Sequence, residues 1–365
     1  MTLIHPAQAL EQPRFGEHIP LEVQMALGAL PVRSYRPEDY DLLDEWMKTL
    51  ANFYDGHTPD NKLLDQLVGA EVADPCGFFT KSKALVVTTS PETGAPTGAT
   101  TINFKRGGAV KIGPVVVDTA LRGQGIGKTL FDAADVFADT VGARKIFATT
   151  SHLNEPVNRL FTRYGFTVEA TFPDQYKRGS QELIWGRFVG EHPRSSDLDG
   201  VRSVVHPSNG RPVESITPYT NDDREYVARV NSIYGDWHDD LGEDFIDGMV
   251  AGQDRGLNFQ AKGKVILIGK DADGEAQGML TFTPKRGGPV KIYPIAGTPE
   301  AQASLLDEAV RLAQENDNHK LYTFSPATDT DQHRLLAEQG FVQRGVLRSP
   351  YKDGHDLFAF DKMVA

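Results

Sequence analysis

Apolar positions alternate with polar ones in several short stretches, and helical spacing takes over between them. The pattern predicts strands near Lys83–Thr89, Gly98–Phe104, Val110–Val117, Lys145–Thr149, Phe166–Thr171 and Glu182–Phe188. Two helices precede the first strand. A third helix is predicted over about 125–140, where Leu130, Phe131, Ala134, Phe137 and Ala138 share one face. A fourth runs from about Glu155 to Arg163. Strands with helices inserted between them make an α/β fold on a mixed sheet.

The pattern then starts again. KRGGAVKIGP at Lys105–Pro114 returns as KRGGPVKIYP at Lys285–Pro294, with eight of ten residues identical at an offset of 180. Upstream, 83–98 matches 263–278 at that offset. Downstream, YGF at 164–166 matches QGF at 339–341, and YKRG at 176 matches YKDG at 351, at an offset of 175. The second copy has therefore lost five residues between the KRGG strand and the Gly-Phe turn. The period is that of a whole domain, far longer than a solenoid repeat. We expect two tandem domains of one kind, 31–190 and 214–365, each a central mixed sheet flanked by helices. They are joined by a Pro-, Ser- and Gly-rich linker at 191–213, and residues 1–30 stand outside the repeat.

A chain of 365 residues with 39% hydrophobic and 24% charged residues suits two globular cores. Its net charge of −12 argues against nucleic acid as the main partner. No apolar run approaches a membrane span, and the N-terminus lacks the basic-then-apolar order of a signal peptide. The lone cysteine, Cys76, reads as a small buried filler and suits the reducing cytoplasm. No Cys/His spacing suggests a metal. Monomer and homodimer both remain open.

Only the first copy continues from its strand into DTALRGQGIGKT. Gly123, Gly125 and Gly127 crowd the start of the predicted helix, where exposed N–H groups and the helix dipole can hold a phosphate. The dinucleotide fingerprint fails, because the third glycine comes one residue early. A P-loop fails because its first glycine would be Arg122. The spacing R-x-x-G-x-G fits Arg122, Gly125 and Gly127. With NEPVNRLFTRYGF at Asn154–Phe166 following in order, the first copy resembles the GCN5-related N-acetyltransferases (GNAT).

That resemblance implies acetyl-CoA as acyl donor and a primary amine of a small molecule as acceptor. A neutral amine would attack the thioester directly, with no metal and no enzyme nucleophile. It implies that Val115, Val116 and Val117 offer backbone groups to the pantetheine arm. Gly123, Gln124, Gly125, Ile126, Gly127 and Lys128 would hold the pyrophosphate, with Arg122 adding charge. Asn154 would bond the pantetheine or cap its helix. Phe161 would border the cofactor, but it stands where many members carry an acidic tyrosine and has no proton to give. Tyr164 is a substitute only if the helix geometry allows it. The strand position of the usual glutamate base falls near Lys111, leaving His152 and Asp118 as acid–base candidates. Acceptor contacts are expected from Tyr54, Asp55, His57 and Tyr176, in the loops 52–61 and 172–181.

The second copy reads GTPEAQASLL where the first has its glycine turn. Thr298, Pro299 and Glu300 look like the cap and first turn of a plain helix. A degenerate second domain is expected. A protein or peptide N-acetyltransferase, a longer acyl donor, and a non-catalytic acyl-CoA-binding module remain alternatives at this point.

Overall fold

The structure is a computed structural model. It describes residues 26–28, 30–50, 64, 80–190, 208–234, 243–258, 263–285 and 287–364. Tyr54, Asp55, His57 and Cys76 lie outside them, as does most of the 191–213 segment.

The first half runs β1 (Val32–Ser34), α1 (Tyr40–Lys48), β2 (Thr80–Thr89), β3 (Pro96–Lys105), β4 (Ala109–Val117), α2 (Ile126–Thr140), β5 (Lys145–Ser151), α3 (Glu155–Arg163), β6 (Thr167–Pro173) and β7 (Gln181–Phe188). The second half repeats most of that order. It runs β8 (Ser215–Pro218), α4 (Arg224–Tyr234), α5 (Glu243–Gln253), β9 (Val265–Lys270), β10 (Ala276–Pro284) and β11 (Pro289–Gly297). Then come α6 (Pro299–Glu315), β12 (Lys320–Pro326), α7 (Thr330–Glu338), β13 (Val342–Leu347) and β14 (Leu357–Met363). The predicted strands of the first half and the helices expected at about 125–140 and 155–163 appear within a few residues of their expected limits; of the two helices expected before the first predicted strand, one is α1 and the other falls almost wholly outside the described residues.

The fourteen strands among the described residues form one mixed sheet, in the order β1-β2-β3-β4-β5-β7-β6-β13-β14-β12-β11-β10-β9-β8. The order reads the same from either end once the halves are matched. Only β4·β5 and β11·β12 are parallel. The reading of separate sheets did not include the join, a single antiparallel contact between Ala170 of β6 and Gly345 of β13.

In the first half, α2 and α3 pack on one face of the sheet through Phe131, Phe137 and Phe161 against Val110, Ile146 and Trp185. Helix α1 covers the other face through Leu43, Trp46 and Met47. The second half has its own two clusters. A fifth cluster crosses the join, setting Ala170 and Phe172 against Tyr322, Phe324, Leu347 and Leu357.

The join is built from matched pairs. Lys145 Nζ lies 2.6 Å from Glu169 and donates to Arg348 O at 2.5 Å. Lys320 Nζ lies 2.6 Å from Asp361 and donates to Pro173 O at 2.6 Å. Arg144 donates to Ser349 O, and His319 Nε2 donates to Asp174 O. Gly107 (φ +87°) packs on the backbone of Tyr351, and Gly287 (φ +84°) packs on that of Tyr176. The lysines, the carbonyls they reach, Arg144 and His319, Ser349 and Asp174, and the glycines and tyrosines correspond under the offsets of the repeat, whereas the carboxylates do not: Glu169 matches Arg344, and Asp361 matches Gly186. The contacts are those of a two-fold interface, residue i on j and j on i. This explains the repeated KRGG. Its first glycine takes a left-handed φ where an added Cβ would meet the other half at 2.8 Å.

Candidate active site

The parallel pair β4·β5 holds only from Ala109↔Lys145 to Lys111↔Phe147. Beyond Lys111 the strands part, so the β5-facing edge of 112–117 has no strand partner. The other edge stays paired to β3 through Thr100↔Val115, Ala99↔Val116 and Gly98↔Val117. Val115 and Val117 keep partial exposure, while Val116 is buried on the α1 side.

The parted strand leads into the glycine turn. Asp118 closes a 3-10 turn by accepting from Ala120 N at 2.9 Å. Gly123 and Gly125 take φ +85° and +87°, and an added Cβ at either would meet nothing within 4 Å. At Gly127 it would approach Leu160 at 3.3 Å, so this glycine lets α2 and α3 close up. Gly125 is the N-cap of α2, and no side chain caps that end. The first backbone bond of the helix is Thr129 N to Gly125 O, 3.1 Å. The N–H groups of Ile126, Gly127 and Lys128 precede it and have no helical acceptor. With the helix dipole they form an open anion-binding end. Arg122 is exposed beside the turn, its Nε 3.4 Å from Val117 O. Lys128 pairs with Asp132 at 2.7 Å on the exposed surface.

Asn154 stands at the N-cap of α3, yet its side chain makes no capping bond. Asn158, which the sequence reading passed over, fastens this corner. It donates to Ser151 O and His152 O and accepts from Thr150 Oγ1.

The acid–base candidates fare differently. His152 Nδ1 accepts from Gln181 N at 2.9 Å, which puts the proton of the neutral ring on Nε2. Its ring borders a shallow groove of about 540 Å³ along α3, shared with Glu155, Asn158, Arg159, Thr162 and Arg163. Asp118 is occupied as a cap. Tyr164 donates to Asp132 Oδ1 at 2.9 Å and to Lys128 O at 3.1 Å. Burial and the neighbouring Asp132 carboxylate push its hydroxyl well above the usual phenol range. Its hydroxyl is committed to α2, one turn past the glycines, because the residue ends α3 and turns to that neighbour. Phe161 is 1% exposed and stacks on Trp185 at 5.6 Å, so it sits in the core rather than on an open surface. Tyr176 stands at the join, its backbone against Gly287.

One group was missed entirely. Glu182 on β7 lies opposite Ser151 of β5 and Phe172 of β6 and is 9% exposed. Leu183 and Trp185 point to the α2–α3 core, so Glu182 and Ile184 face the opposite side, as do Lys111 and Thr149. Burial pushes the Glu182 carboxyl up to about 7, partly offset by a hydrogen bond from Thr149 and by the charge of Lys111. Burial pushes the Lys111 ammonium down, against the pull of Glu182. The spacing QELIWGRF shows only a strand; which strands flank it decides this environment.

At the matched positions of the second half, the same features are closed. β11 and β12 also part, after Lys291↔Tyr322. There Ile295 O, matched to Val115, accepts from Tyr234 Oη at 2.7 Å and from Gln332 Nε2 at 3.0 Å. Gly297 O accepts from Gln302 Nε2 at 2.8 Å. Residues Pro294 to Gly297 are all buried. Helix α6 begins two residues after β11, whereas α2 begins nine after β4. It is capped by the Thr298 side chain, which accepts from Ala301 N at 3.2 Å.

Among the described residues no helix is long and apolar enough to cross a membrane, and no group of three His, Cys, Asp or Glu side chains is placed to hold a metal.

Residues 41–166 match the model of the acetyltransferase (GNAT) family. This part of the chain is an acetyltransferase domain of that family, a transferase. Similar solved structures include a GNAT-family protein from Desulfovibrio desulfuricans, 21% identical over 44% of this chain and 98% of that one, TM-score 0.36. Another is the Salmonella typhimurium protein yncA with its cofactor acetyl-CoA, 20% identical over 45% and 96%, TM-score 0.37. A third is ribosomal-protein-alanine N-acetyltransferase from Brucella melitensis, 18% identical over 41% and 99%, TM-score 0.35. No curated protein matches the sequence.

Proposed function

We propose that the protein is an acetyl-CoA-dependent N-acetyltransferase, active in its first half, that acetylates the primary amine of a small molecule. We take 31–190 as the active domain, 191–213 as linker and 214–365 as a degenerate copy. One observation carries the reading: the glycine turn and parted strand are open in the first half and plugged by side chains in the second.

Acetyl-CoA fits the open site. The uncapped α2 end and the empty space beside Gly123 and Gly125 suit a diphosphate, with Arg122 and Lys128 adding charge. The unpaired edge of Val115–Val117 suits the amides of the pantetheine arm, and the uncommitted Asn154 side chain suits the same arm. The bound cofactor would supply an acetyl thioester, a carbonyl activated toward a neutral amine. Thr298, Gln332 and Tyr234 take up the equivalent groups in the second half, which leaves one cofactor site per chain.

A small acceptor is favoured over a peptide by the loop between β6 and β7. Asp174 O is held by His319, Gln175 is buried, and Tyr176 lies against Gly287. The second half thus covers the wall where an extended peptide would enter.

Calorimetric titration of acetyl-CoA tests the reading. Wild type should bind one equivalent, and Gly125→Glu should bind none. Thiol release should follow with small amines and not with peptides. Two equivalents would reject the degenerate second half, and no binding would reject the enzyme.

A further inference from the structure

We infer that Glu182 receives the acceptor, its carboxylate taking a proton from the incoming ammonium group in the cleft beyond Lys111. This assignment rests on the acetyltransferase reading above.

The geometry comes first. Glu182 lies on the sheet face away from the α2–α3 core, on β7 opposite Ser151, four residues past Phe147, where β5 stops pairing with β4. That parting is where the backbone edge is free for a cofactor arm, so an acceptor must approach the same opening. The groups around the carboxyl come from three strands. Lys111 of β4 is the charged group acting on it, Thr149 of β5 hydrogen-bonds it, and the apolar Phe172 of β6 lies opposite.

The second half provides the contrast. The residue matched to Glu182 is Leu357, fully enclosed in an apolar cluster. The residue matched to Thr149 is Phe324, and the Lys291 ammonium lies over the rings of Tyr293 and Phe324 at 4.9 and 5.0 Å. The half with the plugged groove thus fills this space with aliphatic and aromatic side chains. The half with the open glycine turn keeps a carboxyl there. Burying a carboxyl without full compensation is unfavourable, and a framework role is served equally well by leucine in the other half.

The chemistry balances. An ammonium R–NH3⁺ and the Glu182 carboxylate give R–NH2 and the carboxylic acid. The N–H bond breaks, its electron pair stays on nitrogen, and the acid later returns the proton to solvent. With its carboxyl pushed up to about 7, Glu182 can hold and release that proton near neutral pH.

The test compares wild type with Glu182→Gln and Lys111→Met. Isotope-edited infrared spectra of the protein alone should show one carboxyl titrating near pH 7, absent in Glu182→Gln. Removing the Lys111 charge should move that titration to higher pH. Calorimetry should give the same acetyl-CoA affinity in wild type and Glu182→Gln. With a small amine, Glu182→Gln should lose at least about 100-fold in kcat and lose the acid limb of the pH profile. In Lys111→Met the limb should move up with the carboxyl. If wild type releases thiol and Glu182→Gln does so within threefold, with the same acid limb, this role falls and the acetyltransferase stands. No carboxyl titrating between pH 6 and 8 also overturns it. No thiol release by wild type with any amine rejects both.

Discussion

A carboxyl buried on a strand changes the stability of the whole protein with pH, whatever its part in catalysis. For Glu182 the folded value is about 7 against an ordinary 4.5. The neutral form is favoured in the folded state. Its stabilising contribution is complete below about pH 4.5 and is lost as pH rises through 7. Glu182→Gln removes that dependence. The melting temperature of the variant should draw level with or above wild type as pH rises from 5 to 8, then hold a constant difference above that. The free-energy change across this window is of the order of 3 kcal/mol. Thermal melts at half-unit steps of pH check it; parallel curves would mean that the carboxyl ionises normally. At this scale the sequence is least legible. Glycines with left-handed φ stand out because the turn demands them. Glu182 sits in an alternating strand like any other, and its environment depends on Lys111, 71 positions away. His152 and Tyr164 looked like chemistry for the same reason in reverse. Their residue types suggest proton transfer, but Gln181 N–H and Asp132 already engage them.

At the scale of the element, α2 and α6, which occupy matched positions of the repeat, differ at their first turns. In α6 the Thr298 side chain accepts from Ala301 N–H, Pro299 has no N–H to satisfy, and Glu300 meets the dipole. In α2 no side chain takes up the same groups. Opposite mutational responses follow. Thr298→Ala should cost about 1 kcal/mol of stability and leave acetyl-CoA binding unchanged. Gly123→Glu should also cost only about 1 to 2 kcal/mol, from its φ of +85°, because its Cβ meets no neighbour. Yet it should abolish acetyl-CoA binding by placing a carboxylate at the diphosphate position. Denaturant midpoints and calorimetry on the two variants separate these effects. This contrast was legible, because caps and glycine turns are local. The plug was not. Gln332 and Tyr234 reach Ile295 O across 37 and 61 positions, and nothing in TDQHRLLAE or REYVARVNSIY marks them.

At the scale of the molecule, the sheet reads the same from both ends because the two halves meet by their equivalent edges. The repeat itself was plain in the sequence, as were the fold class and the order of elements. The joined edge was not, since alternation in β6 and β13 tells which residues share a face and not which strand lies alongside. The symmetry of the join has a measurable consequence. Contacts that link 107 to 351 and 176 to 287 map onto 107 and 176 of two copies of the first half. The same mapping carries the bond from Lys145 to Arg348 O into one from Lys145 to Pro173 O of a second copy. A surface made of such pairs is self-complementary. Expressed alone, residues 1–190 would expose Ala170 and Phe172 and leave Lys145 without its bond across the join. That fragment should therefore dimerise, while the full chain, which already covers this surface with its own second half, should not use it. Light scattering during size-exclusion chromatography of both proteins measures the outcome. Phe172→Asp, which puts a charge on the shared cluster, should return the fragment to a monomer. A fragment that is monomeric without that change would show that Arg344 and His319, which stand in the second half where the first has Glu169 and Arg144, have made the join specific to its two unequal sides.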